Sequence, residues 1–470
     1  MKLLRQPLDW IWISCGAVLL GSVGAWSLLS HSFVYGQGYA DRPIITFLLL
    51  YGLAWGAFAI AARRLSLGER PGLRGIVLVA LTARLLLLPS SLIQENDVYR
   101  YVLDGEVLLH GENPYRFAPL EVAGRTEFIP DAGLDSPQAE VVLSRIGYPE
   151  IPTVYPPASQ VSFALGALLA GWHWQGQRWV FGALDLLVLY LIVVLLRASG
   201  RPSQWVLLYG WNPLILKEVS NSTHVDVLAA VFILMALWMS YRYQGDPTNR
   251  AAALSGAMLG IAVLAKLYPL ILLPALCVVL YRKQGGWRHC AAGILGCGAV
   301  VAAGYAPFLN IGWRNLTRGL HIFAELWKMN EGAFGLLQAT VPEARVVAGL
   351  IVATIAILIP VLRQDSAPDR VVRDVFWVLL CWFLFIPTPF PWYAVSLVAA
   401  ASVSAEDRPI LLTLSGCLAL YYLSFFYQYR DYSAIWWPVT RTVEHLAIWG
   451  AVVWVMLRAS RTATGSAPGI

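Results

Sequence analysis

Several short stretches of this chain carry ionisable and aromatic side chains at spacings that suit a single reaction. In LIQENDVYRYVLDGEVLLHGENPY, residues 92–115, Asp97, Arg100, Tyr101 and Asp104 recur at helical intervals and share one face. A carboxylate so placed can take the proton from an attacking hydroxyl, which is general-base chemistry. Asp97, at the expected helix start and beside Glu95, is the candidate base. In KEVSNSTHVD, Glu218, Asn221 and His224 recur at intervals of three ahead of Asp226. Lys266 and Tyr268 follow in AKLYP, and Trp392 and Tyr393 in TPFPWY. Arg314, Arg318 and His321 lie in the stretch 309–343, and Arg430 with Asp431 in YQYRDY.

Each group also has a purely structural reading. Arg100 pairing with Asp97 and Asp104 would make an ordinary ion-pair ladder. Ser222 or Asp226 would serve as the cap of the helix that follows, and Lys266 would snorkel to an interface. Asn113-Pro114-Tyr115 and Tyr155-Pro156-Pro157 read as structural stops, since proline ends helices and fixes extended turns. Glu95, Asp97, His224 and Asp226 offer oxygen and nitrogen ligands suited to Mn or Mg, but no spacing demands a metal and the sequence requires no cofactor.

These stretches need elements to hold them, and composition sets the kind. With 58% hydrophobic and 13% charged residues and a mean hydropathy of +0.61, the 470-residue chain reads as a polytopic membrane protein, one all-α domain over 1–470. Apolar runs near 9–30, 43–62, 74–91, 179–197, 203–219, 226–242, 250–267, 268–282, 289–308, 345–362, 374–388, 391–404, 409–427 and 437–457 give about 14 expected spans, with 12–14 admissible. The run at 161–172 is too short for an ordinary span and reads as a re-entrant or interfacial helix. Basic clusters between spans, among them Arg63 and Arg64, Arg282 with Lys283, and Arg370 with Arg373, belong on the cytoplasmic side together with Lys2 and Arg5. The +6 net charge is therefore a matter of topology and no sign of nucleic-acid binding. The stretch 92–157, with eleven acidic against four basic residues, then faces outward as an acidic loop containing short amphipathic helices, and 309–343 forms a second outer loop. The six cysteines all sit in apolar stretches without a CxxC pair, against both a disulfide framework and a thiolate metal site. The last residues, RTATGSAPGI, read as a frayed tail.

The ordered set DVYRYVLDGEVLLHGENPY, YPPASQ, WNPLILKEVSNSTHVD, AKLYPLILLP and FPWY resembles the GT-C superfamily of integral-membrane glycosyltransferases. It is similar to the bacterial polyprenyl-phosphate-mannose-dependent mannosyltransferases and, more distantly, to the GPI mannosyltransferase catalytic subunit. The resemblance implies a GT-C fold and an acidic motif in the first outer loop that supplies the catalytic base. Glu95-Asn96-Asp97 matches that motif, with Glu95 where an Asp is usual, and His224-Val225-Asp226 matches a later His-Asn-Asp without its amide.

The expected reaction is inverting transfer of a hexose, mannose first, from a polyprenyl monophosphate donor to a glycan or glycolipid acceptor on the outer face of a bacterial inner membrane. Outside the cytoplasm nucleotide sugars are lacking, so the donor arrives through lipid. Asp97 serves as base, with Glu95, Asp104, Glu218, Asn221, His224 and Asp226 around it. Lys266, Arg318 and Arg430 receive the donor phosphate, because positive charge stabilises a departing phosphate. Tyr101, Tyr268, Trp392 and Tyr393 line the acceptor side. Two alternatives stand beside this reading. A polymerase or ligase using a polyprenyl diphosphate would favour an outer loop rich in Arg and His, and a lipid-linked sugar transporter would show a polar path through the midplane.

Overall fold

A computed structural model describes residues 10–123, 133–245, 247–282, 286–362, 368–404 and 407–464. Lys2, Arg5, Lys283 and the last six residues of the expected tail lie outside the described residues. Every regular element among those described is helical.

Among the described residues, six helices have the length and apolar character to cross a membrane: Trp10–Ser32, Tyr39–Ser66, Gln175–Ala198, Gly286–Ile311, Ala344–Leu362 and Arg408–Gln428. Pro213–Asn221 and Asp226–Arg242 make a seventh if counted as one span bent by 117°. The other expected spans take different forms. Asn249–Ala265 and Leu273–Leu280 are shorter apolar helices, and Ser433–Thr464 is a long helix interrupted by charged residues. The expected span at 203–219 is a succession of single turns running into a π-helical segment, Leu216–Asn221. Pro213 opens one of those turns, where its missing N–H costs nothing, and Asn212 caps it by accepting from the Leu214 N–H at 3.0 Å.

The bend has a local cause. Thr223 sits at φ +63°, a region that β-branched residues rarely occupy, so the helix breaks there and restarts at Asp226. A π turn followed by a left-handed residue is a costly arrangement, and such arrangements gather at functional sites. Here it carries Glu218 and His224 inward.

The acidic helix runs Asp97–Leu109, starting where the sequence pattern places it. It is not the surface helix that its charges suggest. Tyr99, Tyr101, Asp104 and Glu106 are all buried along with its apolar residues. The reason is close packing against Pro157–Ala170, the helix that covers the expected 161–172 segment. A Cβ on Gly105 would lie 2.3 Å from the Phe163 carbonyl oxygen, so only glycine allows the two backbones to approach this far. Tyr101 stacks on Phe163 in the same contact, ring centres 4.4 Å apart.

Buried charges lock the frame beneath. Arg84 pairs with Asp185 at 2.6 Å, and Tyr209 donates to the same carboxylate at 2.8 Å. Arg178 donates to the carbonyl oxygens of Leu87, Leu88, Ser90 and Asn221, tying the end of Leu73–Leu87 to the bent pair.

Candidate active site

Above this frame opens a cavity of about 1670 Å³. Single small-molecule sites usually span roughly 300–1,000 Å³, so this one has room for two reactants. Asp97 and Lys266 both line it, and Tyr155 lies between them.

Asp97 occupies the first turn of its helix, where the exposed backbone N–H groups and the dipole favour a negative charge. Its Oδ2 accepts a hydrogen bond from the Tyr155 hydroxyl at 3.3 Å. Lys266 caps the Asn249–Ala265 helix in an extended conformation that turns its side chain to the cavity. Its Nζ lies 3.4 Å from Asp226 Oδ2, and 5.2 and 5.0 Å from the ring centres of Tyr155 and Tyr393. With only 15% of its side chain exposed, it does not snorkel. Tyr155 thus touches both the carboxylate and the ammonium. The Tyr-Pro-Pro sequence, read as a structural stop, places a polar side chain in the site.

A second layer lies beneath. His224 is fully buried, its Nδ1 3.1 Å from Glu218 Oε2 and its Nε2 3.7 Å from Glu95 Oε2. Its ring stacks on Trp392 at 4.2 Å. Tyr422 donates to Glu218 at 2.8 Å and lies 3.3 Å from Glu95, while Lys217 donates to Tyr422 at 2.9 Å. Burial pushes the Glu95 carboxyl above the usual carboxylate range, opposed by the neighbouring His224 and Lys217. Lys217 and Tyr422 escape a reading of the sequence because 205 residues separate them and each sits in an apolar run. Glu95, Glu218 and His224 present ligand atoms within 4.8 Å of one another, a donor set that fits a small divalent cation. Of the four residues expected as metal ligands, Glu95 and His224 lie in this cluster beside Glu218, whereas Asp226 faces Lys266 and Asp97 accepts from Tyr155.

Other expected site residues lie elsewhere. Asn221 is a structural clip: it accepts from the Ile93 N–H at 3.2 Å and donates to Ser90 Oγ at 3.0 Å and to the Ser91 carbonyl at 2.8 Å. Asp104 is buried below the cavity and accepts from Gln160 at 3.2 Å. The ladder with Arg100 is replaced by other bonds, since the Arg100 guanidinium donates to the Ile151 and Tyr148 carbonyls at 2.7 and 3.0 Å. Tyr101 is buried behind Tyr155, whereas Tyr268, Trp392 and Tyr393 do line the cavity. Arg318 is exposed on the Trp313–Leu326 helix, and Arg430 lies over the Phe426 ring and donates to the Ala40 carbonyl. Neither lines the cavity that holds Lys266.

The profile of glycosyltransferase family 87 matches residues 153–420, more than half of the chain. The chain belongs to glycosyltransferase family 87. It is accordingly a membrane glycosyltransferase of GT-C type, the superfamily its ordered motifs resemble. The family 87 match takes in Tyr155, Glu218, His224, Asp226, Lys266 and Trp392, and begins after the acidic helix that carries Asp97. The chain is also similar to GPI mannosyltransferase 1 of Eremothecium gossypii, 27% identical over 144 residues, which are 30% of this chain and 34% of that protein. The alignment therefore spans about a third of the length of that relative. Among solved structures, ArnT from Cupriavidus metallidurans bound to undecaprenyl phosphate superposes over 82% of this chain and 77% of its own, with 13% identity and a TM-score of 0.45.

Proposed function

We propose that this glycosyltransferase moves a hexose from a polyprenyl monophosphate to a glycan or glycolipid acceptor, with inversion at the anomeric carbon. The observation that carries the reading is the presence of Asp97 and Lys266 in the lining of one cavity, both beside Tyr155. Asp97 takes the proton of the acceptor hydroxyl as that oxygen bonds to the anomeric carbon. The bond from the anomeric carbon to the phosphate oxygen breaks on the opposite side, and the lipid phosphate leaves with the electron pair. Lys266, held by Asp226 and the rings of Tyr155 and Tyr393, stabilises that leaving charge in a partly dry setting. One displacement turns a β-linked donor into an α-linked product. A cation on Glu95, Glu218 and His224 would supply further positive charge beside the acidic motif.

Mannose is the sugar we favour, on the similarity to a GPI mannosyltransferase. The site opens, in this reading, on the outer face of a bacterial inner membrane, where a lipid-borne donor replaces the nucleotide sugar. The test is transfer from labelled polyprenyl-phosphate-mannose by the purified chain. Asp97→Asn is expected to lower turnover by about a hundred- to ten-thousand-fold while donor lipid still binds. Undiminished transfer by that variant, or none from any monophosphate donor, overturns the mechanism.

A further inference from the structure

The wall of the cavity beyond Gln94 is built differently from the Lys266 side. Four tyrosine rings follow one another along it: Tyr429 to Tyr39 at 5.0 Å, Tyr39 to Tyr35 at 6.5 Å, and Tyr35 to Tyr99 at 6.5 Å. Two guanidiniums lie against these rings, Arg42 at 4.1 Å from the centre of Tyr39 and Arg145 at 5.4 Å from both Tyr35 and Tyr99. All six side chains line the cavity.

The two arginines differ in their partners from the cations of the ion pairs. Arg84, Arg373, Arg441 and Lys266 each face a carboxylate. Arg42 instead donates to the neutral Gln94 side chain and the Val34 carbonyl, and its buried Nε has no partner. Arg145 donates to the Tyr99 hydroxyl at 2.8 Å. Among the described residues neither charge is paired with a carboxylate, and a guanidinium presents a fork of donors that matches carboxylate and phosphate oxygens.

Aromatic faces accept the C–H face of a pyranose ring, and the adjoining guanidiniums accept an anionic substituent on such a ring. The row is also tied to the reacting group. Gln94, which accepts from Arg42 and donates to Tyr429 at 3.1 Å, immediately precedes Glu95, and Tyr99 lies two residues beyond Asp97 on the same helix. We infer that this row is the acceptor subsite and that it takes a saccharide carrying an anionic group, a uronic acid carboxylate or a sugar phosphate, with its nucleophilic hydroxyl directed at Asp97. The inference rests on the proposed transfer for its role as an acceptor site, and on the row alone for its ligand.

The experiment uses the full chain in lipid nanodiscs, which avoids sugar-headed detergents. Saturation-transfer difference NMR compares methyl α-mannoside, mannose 6-phosphate and methyl glucuronide. The two anionic probes are expected to bind at least about tenfold more tightly than the neutral one, the scale of one added charge-assisted hydrogen bond. Arg145→Gln removes the distinction between charged and neutral probes. Tyr35→Ala, at a residue 37% exposed and so safe for folding, weakens all three. In parallel, release of polyprenyl phosphate from polyprenyl-phosphate-mannose is measured with each probe, and the anionic saccharides are expected to raise it saturably. Binding that ignores both charge and the two substitutions overturns the subsite, whatever the donor does. Charge-selective binding without any donor turnover supports the subsite and sinks the transfer reaction instead.

Discussion

Asp104 shows how burial alone can decide what a carboxylate does. It shares a helical face with Asp97, yet it is 4% exposed and its hydrogen bond comes from the neutral Gln160. Burial raises its carboxyl above the usual range, outweighing the pull of Arg100, Thr153 and Gln160. The folded protein therefore holds this proton more tightly than the unfolded chain does, and by linkage stability falls as pH rises from the ordinary value of 3.8 through the raised one. Asp104→Asn removes that loss and keeps an oxygen for Gln160. We expect it to raise the melting midpoint at pH 7 by roughly 1–3 °C, with the gain shrinking as the pH approaches 4 and transfer activity preserved. Thermal melts across pH 4–8 decide it, and an equal or lower midpoint at pH 7 contradicts the account. The sequence could show that Asp97 and Asp104 share a face, but not that one meets a cavity and the other a packed helix.

At the scale of elements, the site depends on how near its helices come. Lys266 is delivered by the Asn249–Ala265 helix, which packs against Gly286–Tyr305 through small residues. A Cβ on Gly256 would fall 1.9 Å from the Gly293 carbonyl oxygen, and one on Gly296 would fall 2.2 Å from that of Ala253. This close contact, of the kind small residues permit between apolar helices, fixes where Lys266 leaves its helix. Gly256→Ala should therefore cost about 1–3 kcal/mol, the usual range for overpacking, and lower transfer by displacing Lys266. Gly298→Ala on the facing helix meets nothing within 4 Å and provides the control. Equal melting midpoints for the two variants would show that the contact does not position the site. Glycine spacing in an apolar run was visible in the sequence, but its partner helix was not.

The whole molecule was legible where one property repeats along the chain. Apolar runs marked it as a membrane protein, and the order of five weak motifs pointed to the GT-C superfamily that the family 87 match bears out. What stayed hidden depends on pairs far apart in the chain. Arg84 and Asp185 meet across 101 residues, and Lys217 and Tyr422 across 205. Apolar content likewise says little about where a helix breaks, and the bend at Thr223 arises from backbone conformation within an otherwise spanning stretch. Orientation is a further consequence of charge distribution: acidic residues crowd 92–157, while arginines cluster in the links assigned to the cytoplasm. Glu150, exposed at the cavity, and Arg288, exposed at the start of Gly286–Tyr305, should then lie on opposite sides of the membrane. Single cysteines at the two positions test this, with Cys277 and Cys417 replaced and the four buried native cysteines left in place. A membrane-impermeant maleimide added to intact cells should label Glu150→Cys at least about tenfold more than Arg288→Cys, and permeabilisation should equalise them. The expectation follows because lysines and arginines remain on the cytoplasmic side during insertion, whereas acidic stretches are translocated with little resistance. Labelling of both from outside would contradict the assigned topology, and preferential labelling of Arg288→Cys would invert it, placing Asp97 on the side where nucleotide sugars are available.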